Sequence, residues 1–137
     1  MKIQTSWGIG DDPDWSPDGD NIVYSGSPGS TGSESQIWIS DISGTSKKQL
    51  THNTSVINRY STWAPDGTSI AWTTDTSIWL MNADGTNQRE LLGGFAAEPS
   101  WSPDSKQIVF KKLSPDKSKL ILWKINIDGS GLRQLTH

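Results

Sequence analysis

One motif recurs three times along the 137 residues of this chain, and an internal repeat limits the possible folds more than any other feature it has. The first copy reads Asp12-Pro13-Asp14-Trp15-Ser16-Pro17-Asp18-Gly19, then Asn21-Ile22-Val23-Tyr24. The second reads Tyr60-Ser61-Thr62-Trp63-Ala64-Pro65-Asp66-Gly67, then Ser69-Ile70-Ala71-Trp72. The third reads Glu98-Pro99-Ser100-Trp101-Ser102-Pro103-Asp104-Ser105, then Gln107-Ile108-Val109-Phe110. Each copy continues with an Ile/Leu-Trp pair (Ile37-Trp38, Ile78-Trp79, Leu122-Trp123) and a Gly-containing turn at Gly44, Gly85 or Gly129. Each closes on a short apolar stretch ending at Thr51, Leu92 or Thr136. The anchor tryptophans Trp15, Trp63 and Trp101 lie 48 and then 38 residues apart, a spacing at which one repeat makes one propeller blade.

Within a copy, the residues spell four strands. The first surrounds the anchor Trp. The tetrad after it is a turn: Pro supplies a fixed φ, Asp bonds nearby N–H groups, and Gly accepts positive φ. An alternating second strand follows, such as Gln107 to Lys111; the Ile/Leu-Trp pair marks the third and the Gln-Leu-Thr type of ending marks the fourth. The expected fold class is therefore all-β, with blades over 12–56, 57–94 and 95–137 and an N-terminal extension over 1–11. Residues Lys2 to Thr5 echo a fourth strand, as if left from a preceding blade; the plainer reading is a linker with a buried Trp7.

The spacing and the turn chemistry resemble the WD40-like Pro-Asp repeat of TolB-type β-propellers over residues 12 to 137. Ala64 in place of Ser and Ser105 in place of Gly are the departures within the motif. The resemblance implies six blades per ring. It also implies a periplasmic protein-interaction role if this chain acts as TolB does, while related propellers cap serine peptidases of the prolyl-oligopeptidase type. Three blades are half of six. An open set leaves two apolar blade faces bare, so two copies are expected to close a six-bladed ring as a homodimer. Val23, Tyr24, Ile37 and Trp38 are expected at one bare face and Ile108, Phe110, Ile121 and Trp123 at the other.

Composition narrows the function. With 12 Lys and Arg against 15 Asp and Glu the chain is mildly acidic, which argues against nucleic acid as a partner. The absence of Cys removes disulfides, thiolate metal sites and a cysteine nucleophile. No apolar run approaches the ~20 residues that span a bilayer, and Met1 to Asp12 has no apolar segment of a secretory signal. No Gly-x-Ser-x-Gly elbow is present, and Gly8-Ile9-Gly10 lacks the pattern of a dinucleotide loop. His52 and His137 follow equivalent strands, which suits a loop role rather than catalysis. The chain is thus expected to be non-enzymatic and to need no cofactor or resident metal.

Six tryptophans, Trp15, Trp63, Trp101, Trp38, Trp79 and Trp123, recur in register and are expected to be structural; Trp72 takes the core position of Tyr24 and Phe110. Functional candidates are positions that vary on a constant scaffold. Three residues before each anchor Trp stand Asp12, Tyr60 and Glu98, at the start of the strand that lines a propeller's channel. Alternation puts Asp14 on the same side, and Arg59 is beside them as a counter-charge. This acidic mouth is read as a site for a protein or peptide partner, the alternatives being a hard cation or a polar channel that holds only water. A second functional class, a propeller that gates a hydrolase located elsewhere, remains open.

Overall fold

The computed structural model describes residues 4–5, 8–27, 35–53 and 55–136. Trp7, His137 and most of the Gly/Ser-rich loop after Gly26 lie outside the described residues. Among the described residues, thirteen strands form three antiparallel sheets. The first contains β1 (Gln4–Thr5), β2 (Gly8–Trp15), β3 (Asn21–Gly26), β4 (Gln36–Asp41) and β5 (Lys47–Gln49). The second contains β6 (Arg59–Trp63), β7 (Ser69–Thr73), β8 (Ile78–Asn82) and β9 (Arg89–Leu92). The third contains β10 (Ala96–Trp101), β11 (Gln107–Leu113), β12 (Leu120–Asn126) and β13 (Arg133–Gln134). Strands follow one another in sequence order across every sheet, as in an up-and-down blade.

The first strands β2, β6 and β10 pack side by side, while β5, β9 and β13 do not meet in the same way. The sheets therefore share an inner edge and diverge outward. Gln4–Thr5 pairs with Gly8–Ile9 on that inner edge, as a fifth strand of the first sheet. Its likeness to a fourth strand of a preceding blade does not extend to its position. Among the described residues no helix is long and apolar enough to cross a membrane.

The turn tetrads explain why strands begin where they do. Ser16 Oγ accepts the Asn21 N–H at 2.9 Å and donates to Asp18 at 2.5 Å, while Gly19 sits at φ 79°. Ser102, Asp104 and Ser105 repeat this in the third blade. Ala64 has no hydroxyl to offer; the second tetrad keeps the backbone pair that all three share, Ala64 N–H to Ser69 O and Gly67 N–H to Ala64 O, both 2.9 Å, and Asp66 accepts from the Thr68 hydroxyl at 2.8 Å.

Two apolar layers hold the sheets together. Val23, Ile37 and Leu50 of the first blade meet Trp63, Ile70, Trp72 and Met81 of the second. Ala71, Ile78, Leu80 and Leu91 of the second meet Ile108, Phe110 and Ile125 of the third, with Trp101 packed against them. A buried polar chain reinforces the first layer: Trp72 Nε1 donates to Asn58 Oδ1 at 2.8 Å, and Thr51 donates to Gln36 Oε1 at 2.8 Å. Asn58 Nδ2 joins the two halves by donating to that same Gln36 oxygen at 3.3 Å.

These layers correct the expected bare faces. Val23, Ile37, Ile108, Phe110 and Ile121 are buried, because their side of each strand looks towards a neighbouring blade within the chain. The uncovered residues are their counterparts on the opposite sides. Leu122 is 39% exposed and Leu135 42%, whereas the equivalent Ile37 and Ile78 are fully buried and Leu50 and Leu91 lie at 3% and 9%. At the other end Trp15 is 58% exposed, while Trp63 in the same place of the next blade is 8%. Trp15 therefore departs from the expected inter-blade packing: each later anchor Trp leans on the blade before it, and the described residues ahead of Trp15 form no such blade. Trp38, Trp79 and Trp123 are half-buried in the third strand of each sheet.

Candidate binding site at the channel mouth

Each first strand carries a bulge where its register with the second strand slips: Asp11/Asp14, Arg59/Thr62 and Ala97/Ser100. The slip is accompanied by a left-handed residue, Asp12 (φ 51°), Tyr60 (φ 53°) or Glu98 (φ 53°). Left-handed backbone costs a side-chain-bearing residue about 1–2 kcal/mol, so three such residues in register are an imposed feature of the fold. A bulge re-aims the side chain that carries it. Here the three bulges bring Asp12, Tyr60 and Glu98 to one concavity of about 340 Å³, shared with Asp14, Ser61 and Thr62 and walled by Pro13 and Pro99.

The residues of the mouth differ in what they already bind. Burial pushes the Asp12 carboxyl above the usual carboxylate range, and nearby Asp11 adds to this; the Tyr60 N–H and the positive charge of Arg59 oppose it. Glu98 Oε2 meets Lys111 Nζ at 2.5 Å with both side chains well exposed. Such a pair contributes little stability, and a stronger ligand can replace it. Asp14 has a different task. Its Oδ2 accepts both the Thr62 hydroxyl and the Trp63 N–H at 2.8 Å, clamping the first blade to the second. Tyr60 and Arg59 are exposed on the rim.

Ser61 is the site residue that sequence reasoning passed over. It stands where the other blades have Pro13 and Pro99, is 4% exposed, and its Oγ has no hydrogen-bond partner. The departure from proline was visible in the aligned copies, but its burial was not. Among the described residues no group of three or more His, Asp or Glu is placed to hold a metal ion. His52 is exposed on its loop.

Four-stranded sheets that share an inner edge and diverge outward define a β-propeller arc with its channel side at β2, β6 and β10. The chain belongs to the TolB β-propeller domain family, whose family model matches residues 1–137. It is 28% identical to dipeptidyl-peptidase 5 of Porphyromonas gingivalis over 154 residues, covering 95% of this chain and 21% of that protein. The fold is similar to that of TolB from Acinetobacter baumannii (TM-score 0.78, 22% identity, 96% of this chain and 33% of that one). It is equally similar to a TolB structure from Agrobacterium tumefaciens (TM-score 0.77, 22% identity, 93% and 48%). The chain thus spans about half the length of these proteins or less.

Proposed function

We propose that this chain is a non-catalytic propeller scaffold that pairs with a second copy into a six-bladed ring and holds a protein or peptide partner at its channel mouth. The observation that carries the pairing is the contrast between equivalent positions: Leu122 and Leu135 are open where Ile37, Ile78, Leu50 and Leu91 are buried, and Trp15 is open where Trp63 is buried. The open set on the third blade is the kind that the anchor Trp of a following blade covers. The open Trp15 is such an anchor.

A polar contact repeats the same logic. Lys48 Nζ donates to Asp84 O at 2.8 Å, and Arg89 donates to Ile127 O at 2.5 Å, each reaching from a fourth strand to the next blade's turn. Arg133 stands at the equivalent place on the third blade, and the turn at Ile42, itself exposed, stands at the receiving place on the first. Two copies related by a twofold axis would join these halves twice and stop there. Light scattering on the 137-residue chain at micromolar concentration is expected to give twice its 15.0 kDa mass. A chain that stays monomeric at that concentration refutes the pairing.

The similarity to a dipeptidyl-peptidase over 95% of the chain favours a second reading, a propeller that gates a hydrolase supplied elsewhere. That reading requires a hydrolase domain joined to these blades or bound by them, and a peptidase assay on the copurified assembly separates the two. Both readings leave the three blades without catalytic residues of their own.

A further inference from the structure

The open side of the third blade differs in charge from the sides that are covered. Lys111 stands where the first two blades bury Ser25 and Thr73. Lys124 stands where they carry Ile39 and Leu80, both packed into the internal layers. Lys124 is also the direct cross-strand partner of Arg133, whereas the equivalent Lys48 faces Ile39 and Arg89 faces Leu80. Like charges set opposite each other across a ladder are destabilising. Glu98 neutralises Lys111, but among the described residues neither Lys124 nor Arg133 is in an ion pair. Two cations are thus held together on the side that also exposes Leu122 and Leu135.

The first blade is opposite in sign. Residues 12–56 hold six acidic and two basic side chains, and residues 95–137 hold four acidic and seven basic. Its acids sit where a fourth-strand cation would arrive. At the two internal junctions, Lys48 and Arg89 reach the next blade's turn at Asp84 O and Ile127 O. Hydrogen bonds from Thr86 hold the Asp84 carboxyl below its ordinary range and the Lys48 charge lowers it further; Ser130 and Arg89 do the same for Asp128. The matching turn of the first blade has Ser43 in that place, but Asp41 bonds Thr45 there as Asp84 bonds Thr86. Asp20 adds a second carboxylate. Its carbonyl accepts the Ile42 N–H at 3.2 Å, in the place that Thr68 and Lys106 hold in the later blades.

We infer that Lys124 and Arg133 take the acidic turn of the first blade of a second copy, at Asp20 and Asp41, so that the joint between chains is ionic where the joints within the chain are apolar. This inference rests on the pairing proposed above and names what controls it: ionic strength sets how much of the chain is paired. Such a joint parts into folded chains, because each keeps both of its internal layers.

Sedimentation equilibrium of the whole chain in about 0.05 M and about 0.5 M NaCl, which screen exposed charges to very different degrees, tests it. The variants Arg133→Glu and Asp20→Lys are run alone and mixed in equal amounts. Both side chains are exposed, and the third blade already carries Lys106 in the place of Asp20, so each variant should unfold at the unaltered urea midpoint when diluted to monomers. The higher salt is expected to weaken pairing at least roughly tenfold, and each reversal by a similar factor, because twofold pairing repeats the contact at two joints. In the mixture, one joint sets Arg133→Glu against Asp20→Lys and the other joins the two unaltered residues, so pairing should return to that of the unaltered chain. If a reversal unfolds the chain, Arg133→Gln and Asp20→Asn read the same loss by removing charge alone. Pairing that salt leaves unchanged or strengthens, and that ignores both reversals, overturns the ionic joint while leaving the paired ring in place. Loss in both variants without recovery on mixing overturns the match of Arg133 to the Asp20 turn. A chain that is monomeric in both salts at micromolar concentration overturns the pairing as well as the joint.

Discussion

Trp15 and Trp63 occupy the same place in two copies of one motif, yet truncating them should have unequal consequences. Trp63 is 8% exposed and packs into the layer between the first two blades, whereas Trp15 is 58% exposed. With about 200 Å² for the side chain and about 25 cal/mol per Å² removed from water, the burial of Trp63 corresponds to about 4.5 kcal/mol and that of Trp15 to about 2 kcal/mol. Trp63→Ala is therefore expected to cost about 3–5 kcal/mol, the usual range for a buried Trp, and Trp15→Ala roughly half of that. Urea unfolding of the separate chain, followed by tryptophan fluorescence and circular dichroism, measures both. If Trp63→Ala unfolds the chain outright, Trp63→Phe and Trp15→Phe keep the comparison measurable. Equal costs at dilutions where the chain is monomeric would refute the reasoning, since the same motif would then contribute alike with and without a blade to lean on. In a closed ring Trp15 gains the cover that Trp63 has, so its cost should rise to match as protein concentration increases.

Leu122→Asp and Leu135→Asp should prevent pairing while leaving the two internal layers intact, giving monomers by light scattering; Ile121→Asp should unfold the chain instead, because Ile121 is buried. Ser61→Pro should raise stability by about 1–3 kcal/mol through loss of an unsatisfied hydroxyl, read from the urea midpoint. Gly67→Ser should cost about 1–2 kcal/mol through its left-handed φ of 75° alone, because a Cβ there meets only the Pro17 ring at 4.0 Å. Gly85→Ser should destabilise, since its Cβ would lie 3.1 Å from Leu50 Cδ2. The turn carboxylates set the response to acid. Hydrogen bonds from Ser16, Thr45, Thr86, Ser102 and Ser130 hold Asp18, Asp41, Asp84, Asp104 and Asp128 below the ordinary value of 3.8. Those from Ser114 and Ser118 bring Asp116 to about 2. Groups depressed on folding stabilise above their unfolded value and lose that contribution as pH falls through the folded one, so the melting temperature should drop between about pH 4 and pH 2. Asp116→Asn should flatten the lower end of that drop.

Much of the architecture was legible in the chain. The tetrads dictated the turns because Pro, Asp and Gly each meet a local backbone need, and such needs do not depend on distant residues. The recurring tryptophans marked the strands for the same reason. Asp12, Tyr60 and Glu98 were recognisable as variable points on a constant frame, and the structure places them together in one concavity.

What the sequence by itself determined is the repeat, the strand order and the pairing within each sheet, all of which arise from contacts close along the chain. Only the tertiary structure decided which side of each sheet is covered. Period-two alternation divides a strand into two faces but does not say which neighbour each face meets. Val23 and Ile37 are therefore interior, and Trp15, Leu122 and Leu135 are open. The separate duties of the carboxylates at the mouth were likewise settled in space: Asp14 became a clamp because Thr62 and Trp63, 48 and 49 residues onward, come within 2.8 Å of it. Ser61 likewise became a buried hydroxyl without a partner at a place where its repeats hold proline.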